Sequence, residues 1–290
     1  MEQFALDAIT RVTTAPPEVY DTISVDPLTP TIGAEVSGVD FSKELTEDQV
    51  AEVRRAFLRH QVLVFRDQEL DNETHKRAAG YFGELHPVAL PAKDSDPHVL
   101  EISADKDSRN VAGHGWHADG TADLQPSLGS MLYITRTPEV GSGGDTMFAN
   151  MTLAYDMLSP AMKEMLDGMT AVHDGLLAWE GKTPPPEYDV PKHVHPVIAR
   201  HPETGRKLLF VNNIYVSHIE QLSRRESRAV INMLCDHIAS TALLHCRVRW
   251  TANTLVFWDN RCVQHHAIWD YFPHSRYGRR VAIKGHRPTA

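Results

Sequence analysis

Arg247-Val248-Arg249-Trp250-Thr251-Ala252-Asn253-Thr254-Leu255-Val256-Phe257-Trp258 (RVRWTANTLVFW) contains two short strand-like runs, 247–250 and 254–258, with three residues between them. β-branched and aromatic side chains suit a pleated, buried strand. No helix fits between the two runs, whereas a parallel pair needs a crossover of a dozen or more residues. Further runs of this kind occupy 129–135, 207–212 and 280–285, separated by Gly, Pro, Asn and Asp turns. Strands without strict β-α alternation argue against a doubly wound parallel sheet. They predict a β-sandwich or barrel decorated by a few helices.

The helices announce themselves by their caps. Thr46 with Gln49 forms a capping-box pattern ahead of Val50, Val53 and Phe57, which share one helical face and predict a helix over 47–60. The run QVLVF (61–65) follows as a buried strand, and then a helix over 72–82 closed by Gly83. Ser159-Pro160 starts a helix to about 167, and Ser223 with Glu226 caps another to about 238. Residues 1–22 show no clear period and read as an arm that is ordered only where it docks, leaving 23–290 as a single domain.

With 29 Lys and Arg against 38 Asp and Glu the formal charge is −9, and no basic block could follow a phosphate backbone. Nucleic acid is not an expected partner. No apolar run reaches the roughly 20 residues of a membrane span, and the start lacks the order of a signal peptide, so a cytoplasmic protein is expected. Cys235, Cys246 and Cys262 are odd in number and lack CxxC spacing, which predicts buried thiols rather than a disulfide framework or a thiolate zinc site.

Gly115-Trp116-His117-Ala118-Asp119 places an imidazole and a carboxylate two residues apart, on one face if the segment is extended. Downstream, Asp259-Asn260-Arg261-Cys262-Val263-Gln264-His265 offers a second imidazole just past an apolar strand. Two His and one carboxylate are the facial triad of non-haem Fe(II) oxygenases, which leaves coordination positions open. HxD alone is weak in a chain with 17 His. His266 competes with His265, but neighbours on a strand face opposite ways, so only one of them can point inward. His193-Val194-His195 has the spacing of a two-His grip, and His114 precedes His117 by three residues. The first pair reads as scaffold and His114 as exposed.

From about 23 to 288 the chain resembles the taurine dioxygenase family of Fe(II)/2-oxoglutarate-dependent dioxygenases. The segments that carry the resemblance are PTIGAEVSGVDFS, LRHQVLVFRDQ, YFGELHPV, GWHADGT, GSGGDTMFAN, HPETGRKLLFVN, FWDNRCVQHHAIWDYFP and SRYGRRVAIKG. The resemblance implies a double-stranded β-helix (jelly-roll) core flanked by α-helices, and a homo-oligomer. It makes His117, Asp119 and His265 the iron ligands, with 2-oxoglutarate and O2 as co-substrates leaving as succinate, CO2 and oxidised product. It also assigns Arg276 and Thr146 to the far carboxylate of 2-oxoglutarate, a role that suits a planar guanidinium.

Arg280 matches the family arginine that meets the sulfonate of taurine, and should face the same side as Arg276 while Arg279 faces away if the strand is regular. His86 and Tyr215 fall at other pocket positions. Gly113 and Gly175 stand where the taurine enzymes carry Asn and Phe, which argues against taurine and for a larger organic acid. Since an unpaired buried guanidinium is costly, Arg280 calls for an anionic substrate. The oxidative outcome, whether hydroxylation, desaturation, ring expansion or heteroatom release, is left open by the sequence; halogenation is disfavoured because Asp119 is present. Two other functions compete. A non-catalytic jelly-roll binding a small acid predicts missing ligands, and a zinc hydrolase on the same triad predicts a nearby base and gives Thr146 and Arg276 no role.

Overall fold

The structure, a computed structural model, describes residues 2–109, 113–139 and 143–290. Gly141 and Ser142, which open the GSGGDT motif, lie outside them. The two runs of the opening stretch go to different sheets. His245–Val248 pairs with Thr146–Asn150, whereas Thr254–Asp259 lies between Val62–Phe65 and Gly129–Arg136 in the main sheet. The chain therefore changes layers across 249–253, as a jelly-roll requires.

In the main sheet the order runs Ser24–Pro27, Ala34–Ser37, Val62–Phe65, Thr254–Asp259, Gly129–Arg136, Arg276–Ile283 and Leu85–His86, with Leu100–Ala104 also paired to Arg276–Ile283. All of its pairs are antiparallel except Ala34–Glu35 against Leu63–Val64. Its central strands, Val62–Phe65, Thr254–Asp259 and most of Gly129–Arg136, are buried on both faces, and the alternation of side chains shows why. Leu63, Phe65, Met131, Tyr133, Leu255 and Phe257 pack under the Glu47–His60 and Asn72–Gly80 helices. Phe57 stacks on Phe257 at 3.9 Å there. Val62, Val64, Leu132, Ile134, Val256 and Trp258 face the other way into a core shared with Phe148 and Val263 of the second layer. In that layer Thr146–Asn150 is the central strand, flanked by His245–Val248 and Val263–Ala267. A three-stranded sheet of Val216–Ile219, Thr170–Asp174 and Lys192–Pro196 stands beside it.

Glu47–His60 has the predicted capping box, with Thr46 and Gln49 each closing on the other's backbone N–H. Ser223 and Glu226 do the same for Arg224–Ser240. Several expectations need correction. The arm contains a helix, Gln3–Thr13, which docks on Met151–Asp156 with Ala5 and Ala8 buried. Ala5, Ala8, Ile9 and Val12 have the helical spacing that marks it, a period the sequence reading passed over. The 72–82 helix ends at Gly80, and the 207–212 strand at Leu209, because Asn212 turns the chain by accepting from the Ile214 and Tyr215 N–H groups. The last strand starts at Arg276 and stops at Ile283. All three cysteines are free and buried, and burial pushes the Cys246 thiol up to about 12.

Candidate active site

The HxD segment is not a strand; only His117 pairs, in a single antiparallel bridge to His265. That bridge suffices, since the two histidines exchange both backbone bonds at 3.1 and 2.7 Å. Asp119 is held separately by the Asn260 side chain. The Asn260 Oδ1 accepts from the Asp119 N–H at 2.7 Å, and the Asn260 Nδ2 donates to the Asp119 carbonyl at 2.9 Å and to the Ser127 carbonyl at 3.2 Å. Ser130 Oγ donates to Asp119 Oδ2 at 3.1 Å, which turns Oδ1 toward the imidazoles.

One nitrogen or oxygen from each of His117, Asp119 and His265 lies within 4.8 Å of the others. His117 Nδ1 reaches the Gly115 carbonyl at 2.9 Å. A carbonyl only accepts, so Nδ1 carries the proton and Nε2 keeps a free lone pair. Asp119 Oδ1 is 3.8 Å from His117 Nε2 and 3.9 Å from His265 Nε2, too far for hydrogen bonds. Burial pushes the His265 imidazole down to about 3, with His117 adding to the effect, so it is neutral and able to ligate. Burial raises the Asp119 carboxyl, but Arg280, His265 and His117 outweigh it and hold the group below the ordinary carboxylate range. The neutral His265 imidazole, the His117 imidazole with Nδ1 on a carbonyl and Nε2 toward the site, and an ionised carboxylate fit a divalent metal of the Fe(II) type. His265 packs between Phe148 and Trp258, while His266 turns to the opposite face against His114 and Trp116.

Thr146 and His265 share a sheet face, since Thr146 pairs with Ala267 and Phe148 with His265. Arg276 is 4% exposed and lies over the Trp250 ring at 5.2 Å, and the Trp250 Nε1 donates to Thr146 Oγ1 at 3.0 Å. The Nε and Nη2 of Arg276 are buried without a partner. A buried guanidinium with two unmet donors beside a hydroxyl fits the far carboxylate of a dicarboxylate such as 2-oxoglutarate.

Arg280 faces the triad, and Arg279 faces away onto the Leu70 carbonyl and the Tyr133 ring. The structure corrects the premise that Arg280 is unpaired. Its Nη1 contacts Asp119 Oδ1 at 2.5 Å, and only Nε is buried without a partner. Arg280, His86, Gly175 and Tyr215 line a cavity of about 470 Å³ that also touches Asp119. Burial, with Asp119 nearby, pushes the Tyr215 phenol up to about 12. Gly113 lines a second cavity of about 820 Å³ that contains His117. A Cβ added at Gly113 would meet the His117 ring at 3.5 Å, so this glycine does leave space beside a ligand. Gly175 does not. A Cβ there would lie 2.9 Å from the Pro191 carbonyl oxygen, so its small size serves backbone packing and does not widen the cavity.

The other histidines support the site from behind. His193 Nδ1 and His195 Nε2 contact the carbonyls of Ala122 and Asp123 at 2.9 Å, and His173 Nδ1 meets Thr121 Oγ1 at 3.0 Å. They fasten the segment that follows Asp119. Sequence reasoning missed Asn260, Ser130 and Trp250. Asn260 was within reach, since it lies in the same motif as His265, whereas Ser130 and Trp250 read only as strand residues.

Among the described residues no helix is long and apolar enough to cross a membrane. The family model described as taurine catabolism dioxygenase TauD, TfdA family matches residues 24–282. The chain is 30% identical over 280 residues to a putative alpha-ketoglutarate-dependent sulfonate dioxygenase of Schizosaccharomyces pombe, covering 92% of this chain and 71% of that protein. It is 31% identical over 265 residues to the alpha-ketoglutarate-dependent 2,4-dichlorophenoxyacetate dioxygenase of Cupriavidus pinatubonensis, covering 84% and 91%. Among solved structures it resembles AAD-2 in complex with Mn(II) and N-oxalylglycine. The TM-score is 0.83 at 26% identity, covering 93% of this chain and all of that one.

Proposed function

This chain belongs to the taurine catabolism dioxygenase TauD, TfdA family, and on that premise we propose that it oxidises a C–H bond of an organic acid larger than taurine. Enzymes of this kind use Fe(II), 2-oxoglutarate and O2. When bound, the iron supplies the oxidising chemistry at the expense of 2-oxoglutarate, which leaves as succinate and CO2. His117, Asp119 and His265 are the residues proposed to hold the metal. Arg276 and Thr146 are proposed to hold 2-oxoglutarate, and the observation that carries the reading is the buried, unmet Nε and Nη2 of Arg276 beside Thr146.

The rest is done by the protein's own groups. Asn260 and Ser130 fix which oxygen Asp119 presents, and Phe148 and Trp258 wall off the His265 side from water. The Nε–H of Arg280 is proposed to anchor the acid group of the substrate. Val88, Leu90 and Leu100 line the same cavity as Asp119 and favour an apolar body. The test is succinate release with graded acids and their methyl esters. Acids should react at least about tenfold better, in keeping with a charged hydrogen bond. Equal rates for acid and ester would reject the anchor. No separate general base is needed, and the unmet guanidinium has no use in a zinc hydrolase.

A further inference from the structure

The two cavities share three lining residues, Ala178, Trp179 and Tyr215. One contains Asp119 and Arg280, the other Gly113 and His117, so two members of the triad each open on a different chamber. Ala178 and Trp179 belong to a loop spanning 175–191 that joins two strands of the three-stranded sheet, Thr170–Asp174 and Lys192–Pro196. The loop is fastened at its base. Lys192 pairs with Asp174 at 2.7 Å, the Gly175 N–H donates to the Pro191 carbonyl at 2.8 Å, and the Asp174 N–H donates to the Tyr215 carbonyl at 2.7 Å. This accounts for Gly175: the close approach to Pro191 closes the loop, and a Cβ would force it open.

Beyond the base the loop carries a short 3-10 turn, Gly175–Trp179, which ends with Glu180 at φ 50° and Gly181 at φ 81°. Trp179 sits beside Tyr188 of the same loop at 5.9 Å, and Tyr188 lines the Arg280 chamber. Trp179, the largest of the three shared residues, lines both the chamber of about 470 Å³ and the one of about 820 Å³. The smaller chamber is within the range of small-molecule sites.

We propose that Trp179 is a specificity-determining residue of this site: as a wall between the two chambers it confines an acid held at Arg280 to the smaller one, and its loss admits longer bodies into the His117 chamber. The idea rests on the acid-substrate reading but can fail separately from it. It is tested with one-, two- and three-ring carboxylates and their methyl esters, on wild type, Trp179→Phe and Trp179→Ala. The readouts are succinate release and substrate affinity in the anaerobic Fe(II)/2-oxoglutarate enzyme.

Trp179→Ala should raise the two-ring to one-ring ratio of kcat/KM about tenfold or more, which is the discrimination a pocket wall provides. Most of the change should fall in KM, Trp179→Phe should lie between, and the 2-oxoglutarate KM should be unaltered. A ratio unchanged in Trp179→Ala, with 2-oxoglutarate handling intact, overturns the proposal. If wild type treats esters and acids alike, the acid anchor fails, while the size ratio measured on esters still decides the role of Trp179.

Discussion

Two clusters in this protein have nearly the same composition. His117, Asp119 and His265 form one, and His201, Asp259 and Cys262 form the other, each with its potential ligand atoms within 4.8 Å. In the second, every strong polar group is spoken for. His201 Nδ1 accepts from the Glu203 and Thr204 N–H groups, which puts its proton on Nε2 for Asp259 at 3.0 Å. Arg261 grips both oxygens of Asp259 at 2.8 and 2.7 Å, and burial holds the Cys262 thiol well above its usual value. In the first cluster Asp119 is engaged as well, by Arg280 and Ser130, but the Nε2 atoms of His117 and His265 lie 3.8 and 3.9 Å from its Oδ1, beyond hydrogen-bond distance. The candidate metal centre is distinguished by imidazole nitrogens left over, and the structural node by an imidazole with both nitrogens consumed.

Exchanging one carboxylate in each cluster gives the largest contrast. Asp259→Ala leaves Arg261 and His201 buried without their partner, and should lower unfolding stability by about 3–5 kcal/mol in a urea titration. Any protein that remains folded should still bind metal. Asp119→Ala should abolish metal binding and turnover with a smaller loss of stability, because the Arg280–Asp119 pair is less buried than Arg261–Asp259. The contrast breaks if the Asp259 variant loses metal while fully folded, or if the Asp119 variant keeps it.

Next in size is Arg276→Ala, expected to weaken 2-oxoglutarate by about 10- to 150-fold, the worth of a charged hydrogen bond. Thr146→Ala should weaken it less, because a neutral hydroxyl contributes less. Isothermal titration of the anaerobic Fe(II) enzyme separates these effects from effects on the organic acid. Asn260→Ala tests whether the amide clamp matters. It should lower metal affinity by about 10- to 100-fold, as loss of a ligand's orienting partner does, and a metal affinity equal to wild type would make the clamp purely structural.

The smallest effect is on pH dependence. Burial, followed by His195, pushes His173 down to about 3 from an ordinary value near 6.5. Between those values the unfolded chain binds the proton that the folded chain refuses. The contribution of a neutral His173 is therefore complete above about pH 6.5 and is lost as the pH falls toward 3. Unfolding midpoints of the apoprotein should drop between pH 7 and 5, less steeply in His173→Asn. Parallel slopes for the two proteins would remove His173 from the account.

The parts of the fold legible in the sequence were those with strong local signals. The capping boxes at Thr46 and Ser223 are such signals, and so are the runs 61–65, 129–135 and 254–258, which read as largely apolar stretches because their strands are buried on both faces. The strands Thr146–Asn150 and Val263–Ala267 were not read, because they mix site residues such as Thr146, Gln264 and His265 with their apolar positions. Candidate ligands could be named from motif order, but the state of Arg280 could not. Its pairing with Asp119 spans 161 positions and depends on a long-range approach of the last strand to the HxD segment.

The central claim is that the His117 cluster, and no other among the described residues, holds Fe(II) together with a chelating 2-oxoacid. The most direct measurement is anaerobic titration of the apoprotein with Fe(II) and 2-oxoglutarate, following the visible charge-transfer absorption that an iron-bound 2-oxoacid produces, in wild type, Asp119→Ala and Cys262→Ala. The account predicts one band saturating at one iron per chain in wild type and Cys262→Ala, and none in Asp119→Ala. A band that survives in Asp119→Ala, or that vanishes in a folded Cys262→Ala protein, would contradict it.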